Sequence, residues 1–226
     1  PFSDQSLLSH VGSKDHREVA REAVRKSMVL LKNENNILPI PKSGKTIIVA
    51  GKGADDVGMQ SGGWTISWQG GMGQTTNGTT ILDAIKSAVD PGTVVEYTPD
   101  GTSFTGDLAV VVVGEKPYAE MIGDRKDLKL DNEDLGVIKR FTDNDIPVVV
   151  VLLSGRPMIV TDEIGKWDGF IAAWLPGTEG TGVADVLFGD YKPTGKLSFS
   201  WPKSMNQFPI DPNDDHLFSF GFGLTY

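Results

Sequence analysis

The ten residues from 115 to 124 carry three carboxylates, Glu115, Glu120 and Asp124, with Pro117 and Gly123 constraining the backbone and Tyr118 adding an aromatic face. A carboxyl group held in a crevice and partly desolvated has its pKa pushed up and can deliver a proton near neutral pH. Glu120 is the candidate for that role. Glu115, next to the preceding apolar run, is the second candidate and reads rather as a structural carboxylate bonding loop backbone. Other chemistries lack their residues. The chain has no cysteine, which removes disulfides, thiolate catalysis and Cys-based zinc sites together. His10, His16 and His216 show no metal-ligand spacing, and no Gly-x-Ser-x-Gly occurs. Metal-free acid–base work by carboxylates remains.

The element that presents these carboxylates is the run before them. Asp107 and then Leu108 to Val113 read as a strand buried on both faces, because a continuous β-branched run has no polar side to offer solvent. In a parallel α/β sheet the carboxyl ends of the strands open onto a ligand crevice. Further strands are expected at Thr46–Ala50, Thr93–Tyr97, Pro147–Leu153, Asp168–Trp174 and Gly195–Trp201. The first helix is expected to start near Asp15, where Asp15 and Glu18 have the spacing of a capping box. Ala20, Ala23, Val24, Ser27, Met28 and Leu31 then form its inward stripe, with Arg21, Arg25 and Lys26 outward. Thr79 or Thr80 caps a second helix with Ile81, Leu82 and Ile85 inward; Asp131 opens a third, and Gly180–Phe188 is a fourth, stopped by Gly189. Such alternation argues for a largely parallel sheet with helices on both faces. Arg156, after the Pro147–Leu153 strand, reads as one half of a surface or structural ion pair. Glu179 reads as a carboxylate stabilising a helix N-terminus.

A second stretch has binding rather than proton chemistry. Ser61 to Gly73 is glycine-rich and carries Trp64 and Trp68, so it is expected to be a loop. Indole rings there are suited to stacking on the apolar faces of sugar rings. Trp64 is the one expected to plug the loop onto the sheet. Gly51 and Gly53 are spaced as in a dinucleotide fingerprint, but Asp56 stands where the third small residue belongs, and no helix is expected directly after it.

Composition narrows the partners. The 226 residues suffice for a full-sized core and are ordinary for a globular protein, 39% hydrophobic and 23% charged. Net charge is −9 without a Lys/Arg cluster, which makes nucleic acid and anionic membrane poor partners. No apolar run reaches membrane-spanning length, no signal peptide is visible, and Pro1-Phe-Ser-Asp reads as the middle of a longer protein.

Gly114-Glu-Lys-Pro-Tyr-Ala-Glu-x-x-Gly-Asp124 resembles the acid/base loop of glycoside hydrolase family 3, which includes exo-β-glucanases and β-glucosidases. Gly62-Gly-Trp-x-x-x-Trp-Gln-Gly70 resembles that family's loop supplying an aromatic wall to the sugar site beyond the cleaved bond. Trp174-Leu-Pro-Gly-x-Glu-Gly180, Ala184-Asp-Val-Leu-Phe-Gly-Asp190, Pro193-Thr-Gly-Lys-Leu197 and the tail Phe218–Tyr226 extend the resemblance from about Asp15 to the end. It implies Glu120 as general acid/base and Trp68, with Trp64, as substrate-binding residues. It implies a six-stranded, mostly parallel α/β sandwich over residues 41–226, preceded over 1–40 by an interdomain linker and first helix. The family's N-terminal barrel, carrying the Asp nucleophile, is absent from this sequence and is expected in cis or as a separate chain. The chemistry implied is retaining hydrolysis of β-glucans or β-gluco-oligosaccharides, without cofactor, in a secreted or periplasmic enzyme. A barrel altered toward xylosides or N-acetylglucosaminides, and a non-catalytic carbohydrate-binding or scaffold module of the same fold, are the alternatives.

Overall fold

The computed structural model describes residues 2–226, so that Pro1 lies outside it. Six strands form one sheet: β1 (Val29–Asn33), β2 (Thr46–Ala50), β3 (Val94–Tyr97), β4 (Leu108–Gly114), β5 (Val148–Leu153) and β6 (Gly169–Trp174), in the order β1-β6-β5-β4-β2-β3. All neighbours are parallel except β1, which runs antiparallel to β6. β4 lies between β5 and β2 with every residue buried, as its unbroken β-branched run requires. Alternate side chains feed two cores. Val110, Val112, Val149 and Val151 point toward Ile81, Ile85, Val183 and Leu187, while Val111, Val113, Val148 and Val150 point toward Val137, Ile138, Phe141 and Trp201. Helices therefore cover both faces, with α3 (Ile81–Ala88) and α5 (Gly180–Phe188) on one and α4 (Asn132–Thr142) on the other. Val24 of α1 (Lys14–Ser27) joins the first core, and α2 (Val57–Ser61) is a single short turn after β2.

Several elements differ from expectation. Ser13, not Asp15, caps α1, accepting the His16 amide, and α1 ends at Ser27. Met28 to Leu31 leave the helix because Val29-Leu-Leu pairs with β6 and is buried on both sides, which overrides the helical period carried on from α1. The expected boundary at residue 40 thus falls inside the sandwich, since β1 is one of its strands. Arg21 and Arg25 do not face outward. Arg21 grips the buried Asp185 of α5 at 2.7 Å and 2.5 Å, and Arg25 approaches it at 3.4 Å, whereas Ala23 and Ser27 are exposed. Gly195–Trp201 forms no strand. Leu197 and Trp201 are buried in the α4-side core, the Trp201 indole N–H donates to the Met158 carbonyl at 2.8 Å, and ladder pairing is confined to one bridge with Phe218. Contrary to expectation, a helix does follow the Gly51–Asp56 turn directly: α2, capped by Asp56, which accepts the Met59 amide at 2.7 Å.

Candidate active site

β4 delivers its loop through Gly114, whose φ is +142° and whose Cβ, were there one, would lie 1.9 Å from the Leu153 carbonyl oxygen; glycine alone turns out of the sheet there. The next side chain folds back. Glu115 is 6% exposed. Its Oε1 accepts from Arg156 Nη2 at 2.7 Å and Nε at 3.1 Å and lies 3.5 Å from Arg125 Nη1, while the Tyr118 hydroxyl donates to Oε2 at 3.1 Å. Glu115 thus bonds side chains, not loop backbone as expected, and Arg156 is its structural ion-pair partner. One face of the Tyr118 ring is taken by the Arg156 guanidinium, which lies 4.6 Å from its centroid. Burial and then the Glu115 charge push the Tyr118 phenol up to about 12, so it remains a donor across the neutral range.

Glu120, midway along the same loop, is exposed, as is Asp124. This chain alone therefore does not form the desolvating crevice expected around Glu120. What it does form is a contact across two loops: the Trp68 indole N–H donates to Glu120 Oε2. Beside it the Ala119 amide donates to Gln69 Oε1 at 2.8 Å. The loops after β2 and β4 meet at these two bonds, at the carboxyl ends of parallel strands.

The tryptophan loop is shaped from beneath. Asp56 accepts the Gly73 amide at 2.8 Å, and Gln60, fully buried, accepts the Ile81 amide and donates to the Thr79 and Gly177 carbonyls. At its tip the Trp64 amide donates to the Trp68 carbonyl at 2.9 Å, and Trp64 and Ile66 take φ values of +62° and +64°. A β-branched residue in that region is strained, and such strain gathers at functional sites. Trp64 does not plug the loop onto the sheet: it is 70% exposed, with its ring centroid 6.4 Å from that of Trp68 at an interplanar angle of 50°. Two indole faces and one carboxylate thus share one edge of the molecule, able to stack on a ring and exchange a proton beside it.

The sequence assigns no role to Gln60, Gln69 and Arg125 and marks Asp56 only as a departure from the dinucleotide fingerprint. For Asp56, Gln60 and Gln69 the one signal is position: polar side chains within or near a glycine-rich segment whose backbone groups have no ladder to satisfy them. Among the described residues no group of three or more His, Asp or Glu side chains is arranged to hold a metal ion, and no helix is long and apolar enough to cross a membrane.

Residues 28–226 match the family description "Glycosyl hydrolase family 3 C-terminal domain". The chain is 29% identical to a lysosomal beta glucosidase of Dictyostelium discoideum and 30% identical to a periplasmic beta-glucosidase of Salmonella typhimurium. Each alignment covers 100% of this chain but only 31% and 37% of those proteins, so the chain spans about a third of their length. Among solved structures, an exo-1,3/1,4-beta-glucanase from a Pseudoalteromonas species superposes with a TM-score of 0.89 at 47% identity, over 95% of this chain and 29% of that one.

Proposed function

Because this chain belongs to glycosyl hydrolase family 3, whose C-terminal domain it forms, we propose that it is the acid/base half of a retaining β-glucosidase or β-glucan exohydrolase. The observation that carries this reading is the bond from the Trp68 indole to Glu120, which sets an aromatic wall and a carboxyl group side by side at the sheet's carboxyl edge. Glu120 protonates the glycosidic oxygen as the bond to the anomeric carbon breaks, then takes a proton from the water that releases the sugar. The nucleophilic carboxylate, an Asp, comes from the barrel domain in cis or as a separate chain, held about 5–5.5 Å from Glu120 as retention requires. Docking of the barrel and sugar supplies the desolvation that Glu120 lacks here. Trp68, with Trp64 beside it, stacks on the sugar beyond the cleaved bond. The substrate class is a β-glucan or β-gluco-oligosaccharide cut from its non-reducing end, and the chemistry needs no cofactor. The sandwich begins near residue 28, with the preceding residues and α1 as its connection to the barrel. The periplasmic and lysosomal relatives support a secreted or periplasmic enzyme.

Glu120→Ala in the complete enzyme tests this reading. kcat/KM for a poorly activated β-glucoside is expected to fall by about 10²–10⁴-fold. For a dinitrophenyl glucoside the loss should be small, and azide should restore kcat by taking the sugar as β-glucosyl azide. Unchanged turnover of the poorly activated substrate, or no azide rescue, would instead favour a sugar-binding module in which Glu120 is incidental.

A further inference from the structure

Among the described residues the one side-chain hydrogen bond to Glu120 comes from Trp68 of the other loop, yet the backbone that carries Glu120 is pinned at several points. The ion pair from Glu115 to Arg125 closes the loop at its base, and Glu120 lies halfway round. Two residues before Glu120, the half-buried Tyr118 is held at its ring, its hydroxyl and its backbone. Arg156 covers its ring and Glu115 takes its hydroxyl. A Cβ on Gly123 would meet the ring at 2.2 Å, one on Gly63 would meet the Tyr118 carbonyl oxygen at 2.1 Å, and one on Gly155 would stand 3.3 Å from the hydroxyl. Glycines from three separate loops therefore form a slot that fits this residue. On the other side of Glu120, Met121 takes a φ of +55°. Strain of that kind persists only where the surroundings over-determine the backbone.

We propose that Arg156, Glu115 and Tyr118 form a latch that positions Glu120 for proton transfer, Arg156 acting as a positioning residue from the end of the neighbouring strand β5. The proposal rests on the assignment of Glu120 as the acid/base. A plain stabilising role is the weaker account. The pair sits above the sheet ends, the valine layers of β4 and β5 are complete without it, and a buried ion pair is in general no stronger than an apolar replacement. What apolar replacement cannot supply is a fork that holds a carboxylate with two nitrogens while its plane covers a phenol ring. Losing it lets Tyr118 leave its slot and carries Glu120 off line.

Arg156→Met, Arg156→Lys and Glu120→Gln in the complete enzyme provide the test, each assayed on a poorly activated and a dinitrophenyl β-glucoside. Arg156→Met is expected to lower kcat/KM about 100-fold on the first substrate and far less on the second, to gain kcat on the second with azide, and to recover partly in Arg156→Lys. Equal losses on both substrates, or no loss, overturn the latch while Glu120→Gln keeps its leaving-group dependence. If Glu120→Gln lacks that dependence, the acid/base assignment falls and the latch with it. Amide exchange supplies a readout independent of turnover. In Arg156→Met the Ala119 amide should exchange faster with β4 and β5 amides unchanged, and a uniform rise across β4 and β5 would make the role structural and overturn the proposal.

Discussion

Tyr118 and Tyr226 are both held as neutral phenols well beyond the ordinary range near pH 10. For Tyr118 the causes are burial and Glu115; for Tyr226 they are burial and the charge of Asp190, and each is pushed up to about 12. Because the folded pKa is raised, the folded state keeps protons that the unfolded chain releases. The stability this contributes is complete below pH 10 and is lost as pH rises through about 12. Burial raises Tyr97 as well, so phenolate absorbance should show Tyr118 and Tyr226 as late-titrating tyrosines beside it, and Tyr118→Phe and Tyr226→Phe should each remove one. At this scale the sequence shows residue types more clearly than partners. Glu120 and Trp68 are visible because each stands in a short, distinctive run, but their contact joins loops 52 residues apart. Glu115 and Arg156 are separated by 41 residues and by a complete helix, and only the parallel pairing of β4 with β5 makes them neighbours.

The elements were legible where one physical cause dominates. β4 and β5 are β-branched runs buried on both faces, and α5 is bracketed by Glu179 and the left-handed Gly189. Legibility fails where two causes compete. Val29-Leu-Leu continues the period of α1 and is drawn into the sheet by β6, while Leu197 and Trp201 are buried under the sheet without a ladder. The α1–α5 junction shows what the sequence conceals in an apparently solvated face. Asp185 is buried and balanced by Arg21 and Arg25. Arg21→Met leaves that charge with the longer contact alone, and should cost about 2–3 kcal/mol, as for other hydrogen bonds to buried charged groups. Urea denaturation would measure it as a lowered midpoint with unchanged slope.

Across the whole molecule, one group of exposed apolar side chains stands beside the site. Trp64, Ile66, Met121 and Ile122 are all exposed by two thirds or more on the loops after β2 and β4. Residues so exposed add little to the fold. Trp64→Ser with Ile66→Ser should shift stability by less than about 1 kcal/mol, as thermal denaturation would show. The same pair in the complete enzyme should raise KM for oligosaccharides, because one of the two indoles of the aromatic wall is lost while Trp68 remains. The antiparallel edge strand has a separate consequence, one of timing. Val29–Leu31 joins the sheet through β6, which leaves the ribosome about 140 residues later, on the order of ten seconds at ordinary rates of synthesis. Until then an adhesive Val-Leu-Leu segment is unsatisfied, while β2, β4 and β5 can already assemble in their chain order. The seam between β1 and β6 thus closes late, and the other edge of β1 later still, when Leu224 of the tail bonds Leu30, which leaves newly made chains open there to capture by chaperones or by one another.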